Sequence, residues 1–119
     1  MGVVGFDLEQ RTLEFSQQVK RYVLSLPRNV ANLENGRQLM RAAGSVGANY
    51  IEANEALGQR DFLMRIRIAR KEAKEARYWL ELTDCGSGQT DTQQNLINEA
   101  TELIKILSTV LVRYNANKI

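Results

Sequence analysis

Apolar residues recur at every third or fourth position along almost the whole chain, and this spacing constrains the fold more than any other feature. No stretch shows the alternation of apolar and polar residues that is typical of half-buried strands. Glycines and a single proline divide the chain into four such stretches. We therefore predict one all-α domain over residues 1–119. Its four helices span about residues 7–26, 30–57, 60–85 and 92–115.

Each predicted helix carries one apolar seam, and four helices with short connections bury such seams in an up-down-up-down bundle. Asp7 is predicted to cap the first helix, and Gly58 is predicted to follow the C-terminus of the second. The seams consist of Leu8, Phe15, Val19, Tyr22 and Leu26; Leu39, Ala43, Val46, Tyr50, Ala53 and Leu57; Phe62, Ile66, Ala69, Ala73, Ala76 and Leu80; and Leu96, Ala100, Leu103, Leu107, Val110 and Tyr114.

Helices two, three and four carry more apolar surface than one core contact requires. Surplus apolar faces indicate self-association more often than a pocket, so we predict a homo-oligomer. The predicted interface on helices two and three consists of Met40, Gly44, Gly47, Ile51, Met64, Ile68 and Trp79.

The stretch SVGANYIEANEA, residues 45–56, places small residues and two carboxamides in the middle of a predicted helix. Glycine in a helix interior costs about 1 kcal/mol relative to alanine, so the glycines here imply close approach of another helix. We interpret Asn49 and Asn54 as structural amides that hydrogen-bond across helices, and we group Glu52 with them. A ligand contact is the alternative interpretation.

A basic stripe on the third helix is the one pointer to a ligand. It consists of Arg60, Arg67, Arg70, Lys71, Lys74 and, at its border, Arg77, with Tyr78 on the same side. The cations lie within about 100° of one another around the helix and extend over about 26 Å. Such a row can track several phosphates while a tyrosine stacks on a base, so we predict a nucleic-acid or nucleoprotein partner. The alternative is a solvated face or inter-subunit ion pairs, because Glu72 and Glu75 interleave with the cations.

The composition excludes several classes of enzyme. The chain has no histidine, which removes Glu-x-x-His di-iron sites, histidine zinc sites and Ser-His or Cys-His catalysis. Cys85 is the only cysteine, so no disulfide forms within the chain. One enzymatic alternative is a Mg²⁺-dependent all-α nucleotide pyrophosphohydrolase, to whose paired acidic motifs Glu52-x-x-Glu55 and Glu72-x-x-Glu75 are similar. We predict a non-enzymatic protein with no cofactor, no metal and no small-molecule substrate.

The formal net charge of +2 attracts polyanions only weakly, so any basic signal must be local. The first residues lack the apolar run of a signal peptide, and no stretch approaches the length of a transmembrane helix. We therefore expect a cytoplasmic protein without a membrane partner.

Residues 39–83 resemble the four-helix bundle proteins first met as open reading frames in intervening sequences of bacterial 23S ribosomal RNA genes. The resemblance rests on the Ser-Val-Gly-Ala-Asn run (45–49), on Asp61-Phe62 and on the Glu-Ala-Arg-Tyr-Trp-Leu run (75–80). It implies a left-handed bundle, a five-fold ring and hence a homopentamer, and a role with RNA. An accessory protein of diversity-generating retroelements is similar in fold and partners a reverse transcriptase and nucleic acid. The resemblance brings no catalytic residues, so a bare oligomeric scaffold remains the alternative function.

Overall fold

The structure is a computed structural model that describes the backbone of residues 2–117 and the side chains of residues 8–114. It contains the helices α1 (Gly2–Leu24), α2 (Val30–Asn54), α3 (Gln59–Leu82) and α4 (Thr90–Asn117), with a 3₁₀ turn (Ser87–Gln89) before α4. Each helix packs on the next one along the chain, and α4 also contacts α1. The bundle measures 50 × 22 × 19 Å. Residues 2–117 contain no strand. The prediction of four helices in an all-α bundle is confirmed.

The predicted seams form the core. Every seam residue of α1 is buried, and so are those of α2 that lie within the helix. Three predicted seam positions of α3 and α4 are only partly covered or exposed, namely Phe62, Val110 and Tyr114, whereas Leu63 and Leu111 are buried. Phe62 and Tyr114 pack their rings together at the edge of the core, with centroids 4.4 Å apart.

The connection between α2 and α3 differs from the prediction. α2 ends at Asn54, three residues early, where the N–H of Glu55 closes its last turn. Gly58 adopts an extended backbone, with φ −157° and ψ 170°, and its carbonyl oxygen accepts the N–H of Phe62. Gly58 is therefore the N-cap residue of α3, and the prediction that it caps the C-terminus of helix two was wrong. Leu57 was predicted in the core but is fully exposed in this connection.

The other helix ends differ from the prediction by at most five residues. α1 begins at Gly2, so residue 7 lies inside the helix, and the predicted capping by Asp7 lies outside the described side chains. α3 ends at Leu82 instead of residue 85, because Thr83 takes an extended backbone. α4 follows the 3₁₀ turn directly and begins at Thr90.

Asn32 joins the two connections at one end of the bundle. Its side-chain amide donates to the carbonyl oxygens of Pro27 and Asp84, each at 2.9 Å, and its Oδ1 accepts the Asp84 N–H at 3.0 Å. One residue before Asp84, the Thr83 hydroxyl lies 2.7 Å from the hydroxyl of buried Tyr22. Burial raises the pKa of the Tyr22 phenol, so it stays protonated and able to donate. The α1–α2 connection is thereby fixed to the α3–α4 connection.

Replacing Asn32 with alanine tests this polar lock. We expect Asn32→Ala to lower the free energy of unfolding by about 3 kcal/mol, because three side-chain hydrogen bonds are lost and their partners remain. The matched control is Asn35→Ala, since Asn35 is half-buried on the same helix and its side chain forms no hydrogen bond to a described residue. It should change stability by about 0.5 kcal/mol or less. Urea unfolding measures both, and equal effects would contradict the account.

Candidate nucleic-acid interface

One face of α3 is buried, and the opposite face is exposed and basic. Alanines at 69, 73 and 76, together with Ile66 and Leu80, are fully buried. The exposed side contains a row with spacings of seven, four, three and four residues, formed by Arg60, Arg67, Lys71, Lys74 and Tyr78. At 1.5 Å per residue, this row is about 27 Å long. We call these five residues the α3 row.

Two of the predicted stripe residues lie elsewhere. Arg70 and Arg77 are half-buried at the contact between α3 and α4. Arg70 donates to the hydroxyl of Ser108 at 3.3 Å, and Arg77 donates to that of Thr101 at 3.2 Å. Because both acceptors are neutral, the two guanidinium charges are not cancelled. They border the α3 row on its α4 side and have less freedom to move towards a ligand.

The acidic residues that interleave with the stripe are bound to another helix. Arg41 of α2 lies 3.3 Å from Glu72 and 2.9 Å from Glu75, measured from Nη2 to Oε1 in both pairs. Glu72 is buried. Within residues 8–114, both carboxylates pair with Arg41 and with no cation of their own helix. The alternative interpretation of the stripe, a solvated face or inter-subunit ion pairs, stays a prediction.

Within residues 8–114, no cation of α3 forms an ion pair. The paired cations are Arg11, Arg37, Arg41 and Lys105, and none of them belongs to α3. The four cations of the α3 row are exposed and form no ion pair with a carboxylate in the described part of the chain. The row therefore presents four exposed positive charges that no described carboxylate pairs with.

Tyr78 ends the row with an exposed aromatic ring. The residue is 57% exposed, and its ring meets the Trp79 ring edge-on, with centroids 5.2 Å apart and planes at 76°. Lys74 lies one turn before it on the same face. An aromatic ring that is more than half exposed therefore lies beside a cation.

The carboxamides of α2 reach both neighbouring helices. Asn49 donates to the Ser45 carbonyl of its own helix and accepts from Arg65 of α3 at 3.3 Å. Asn54 donates to Glu9 of α1 at 2.8 Å. These are the cross-helix hydrogen bonds that the sequence led us to expect. The third residue of this group, Glu52, is exposed at the last turn of α2.

The residues predicted to contact a second copy occupy different environments. Met40, Gly44, Ile51 and Met64 are exposed, whereas Ile68 and Trp79 are half-buried. Their contact with a second copy stays a prediction.

Gly47 belongs to a contact within the chain. A Cβ atom placed there would lie only 2.9 Å from Oγ1 and 3.3 Å from Cβ of Thr12 on α1. Its assignment to an interface between copies is therefore corrected, because the helix that approaches it closely is α1. At Gly44 a Cβ atom would meet only Ser16 Oγ, at 3.9 Å.

Alanine at the two glycines separates these environments. We expect Gly44→Ala to raise the free energy of unfolding by about 0.5–1 kcal/mol, because alanine favours the helix and has room. We expect Gly47→Ala to lower it by about 1–2 kcal/mol, because Thr12 must move in a packed contact. Thermal unfolding of the two variants measures both signs. Stabilisation by Gly47→Ala equal to that of Gly44→Ala would contradict the close α1–α2 contact.

The acidic pairs do not converge on a metal site. Glu72 and Glu75 bind Arg41, while Glu52 and Glu55 are exposed at the end of α2. Within residues 8–114, no group of three or more acidic, cysteine or histidine side chains is arranged to hold a metal ion.

A polar groove of about 550 Å³ lies between α1 and α4. Its lining includes Arg11 and Glu99, which form two hydrogen bonds of 2.7 and 2.9 Å and so hold α1 to α4. None of its lining residues belongs to α3, so this concavity and the α3 row are separate features. This groove was not predicted from the sequence, because no local pattern relates residues on the first and last helices.

The comparisons with known proteins identify the family. Residues 6–109 match the family model described as 23S rRNA-intervening sequence protein. The chain belongs to this family. A crystal structure of a protein of unknown function from the S23 ribosomal protein family of Bacteroides thetaiotaomicron has a similar fold, with a TM-score of 0.75 and 30% sequence identity. The similarity covers 87% of this chain and 96% of the Bacteroides chain.

A search of curated proteins gives no match. The predicted family resemblance is thus confirmed by both the family model and the solved structure. No helix in the described part of the chain is long and apolar enough to cross a membrane.

Proposed function

We propose that this family member is a non-enzymatic RNA-binding bundle that contacts single-stranded RNA through the α3 row. The observation that carries the proposal is the absence of ion pairs between the row and any described carboxylate, although two glutamates lie within one turn of Lys71. When exposed and unpaired cations of a protein bind phosphates, the counterions condensed on the nucleic acid are released. This release is the main source of affinity for nucleic acids.

The row has the length and composition of a small single-strand site. Neighbouring cations of the row are about 4.5–10.5 Å apart along the helix axis. Cations at these spacings contact the phosphates of an RNA strand without recognising its base sequence. Tyr78 supplies a face on which one base stacks. A convex helix surface with one aromatic ring suits an unpaired strand, whose bases are free to turn towards the protein.

The family description also supports an RNA ligand. It associates these proteins with intervening sequences of 23S rRNA, so unpaired segments of ribosomal RNA are the first ligands to test. We place the protein in the cytoplasm, where such RNA is found.

Self-association is a second proposal, with its own observation. Large apolar side chains are exposed on α1, α2 and α3, and they include Leu13, Leu24, Leu33, Met40, Ile51 and Met64. Apolar surface of this kind favours contact between copies, and a homopentamer is the assembly that the family resemblance suggested. A bare scaffold would have this property without binding RNA.

Charge reversal on the row separates RNA binding from the scaffold. We expect the triple variant Arg67→Glu, Lys71→Glu and Lys74→Glu to lose binding to a labelled 20-nucleotide single-stranded RNA. The wild-type affinity should fall about 50-fold between 50 and 200 mM salt if four phosphates are contacted. Fluorescence anisotropy measures the affinity, and light scattering in the same buffers measures the oligomer mass.

The matched control reverses three exposed cations away from α3, at Lys20, Arg21 and Arg28. It changes the net charge equally and should retain most of the binding. Equal losses in the two triple variants would mean that the RNA senses only net charge, and the interface on α3 would then be wrong.

The stacking role of Tyr78 has a separate signature. We expect Tyr78→Ala to weaken RNA binding by about 5- to 100-fold, because one base loses its stacking partner. The slope of affinity against salt should stay the same, since no phosphate contact is removed. Tyr78→Phe keeps the ring and should bind like the wild type. A changed salt slope, or equal losses in both variants, would argue against stacking.

A further inference from the structure

One guanidinium on α2 holds two carboxylates of α3. Arg41 Nη2 lies 2.9 Å from an oxygen of Glu75 and 3.3 Å from an oxygen of Glu72, which is buried. The two glutamates are three residues apart, so their like charges face the same side of the helix. A single cation from the neighbouring helix therefore pairs with both acids.

Without Arg41, Glu75 has a different partner within reach. Lys71 lies four residues before it, a spacing at which oppositely charged side chains of one helix meet. The Glu75 side chain is 41% exposed and free to turn, while Glu72 is nearly covered. A released Glu75 would place a negative charge beside Lys71 and Lys74, in the middle of the α3 row.

We propose that Arg41 is a positioning residue for nucleic-acid binding: it holds Glu75 and Glu72 towards α2 and thereby keeps Lys71 available to phosphate. This inference rests on the proposed function of the α3 row. Arg41 lies on α2, outside the row, so it acts through the two glutamates and not by contact with RNA.

A double-mutant cycle tests the inference. We expect Arg41→Ala to weaken binding of the 20-nucleotide RNA about 5- to 10-fold at 50 mM salt, the equivalent of about one phosphate contact. Glu75→Gln alone should change the affinity less than about 2-fold, because Arg41 already compensates that carboxylate. Arg41→Ala combined with Glu75→Gln should return to within about 2-fold of Glu75→Gln alone, although the combined variant still lacks the guanidinium.

Two further variants control for the loss of a positive charge and for the loss of stability. Arg37→Ala removes the same charge one turn away, where the ion-pair partner is Glu34 of the same helix, and it should bind RNA like the wild type. Because Arg41→Ala leaves buried Glu72 without its partner, a triple variant that adds Glu72→Gln removes that strain. It should bind like Glu75→Gln and melt at a higher temperature than Arg41→Ala.

The outcomes separate this inference from the proposed function. Equal losses in Arg41→Ala and Arg37→Ala, or no recovery when Glu75→Gln is added, would overturn the positioning role while RNA binding by α3 stands. If the wild type binds no RNA, or if reversal of the α3 row changes nothing, both proposals fail. Recovery in the combined variants together with wild-type binding by Arg37→Ala would support the role of Arg41.

Discussion

The close packing of α2 against α3 determines where the acidic residues of α3 find their partner. Alanines at 42, 43, 69, 73 and 76 are fully buried, and the contact between these two helices is the most extensive in the structure. Small side chains permit this approach, and the approach brings an arginine of α2 to the acids of α3. The cations of the α3 row consequently extend over about 21 Å of the exposed side of α3. The positive surface thus depends on core packing as well as on the local sequence.

Polar side chains fix the register that the small apolar residues leave open. Asn49 and Asn54 connect α2 to its two neighbours, and Asn32 ties the two connections at one end of the bundle. Arg11 and Glu99 join the first helix to the last. Alanine-rich seams offer few distinctive shapes, so hydrogen bonds with defined partners help to specify one alignment of the helices.

The sequence predicted the helices and their seams because both follow from local periodicity. The predicted environments of Leu57 and Gly58 were wrong. A leucine at helical spacing followed by a glycine is also typical of a helix end, which placed the end of α2 three residues later than the structure has it. We assigned Gly47 to a second copy, because sequence cannot distinguish which helix approaches a glycine. The partner of Glu72 and Glu75 was beyond prediction, since Arg41 is more than thirty residues away and no spacing rule connects them. Helical geometry placed Arg70 within the stripe and Arg77 at its border, and hydrogen bonds to α4 place both at the border.

The most direct test of the RNA interface is a map of where RNA touches the chain. Ultraviolet cross-linking of the wild-type protein to single-stranded RNA at 50 mM salt, followed by mass spectrometry of the peptides, gives this map. The account predicts cross-links concentrated between residues 67 and 78 of α3, with Tyr78 the strongest. Cross-links confined to α1 and α4, along the polar groove between them, would contradict it.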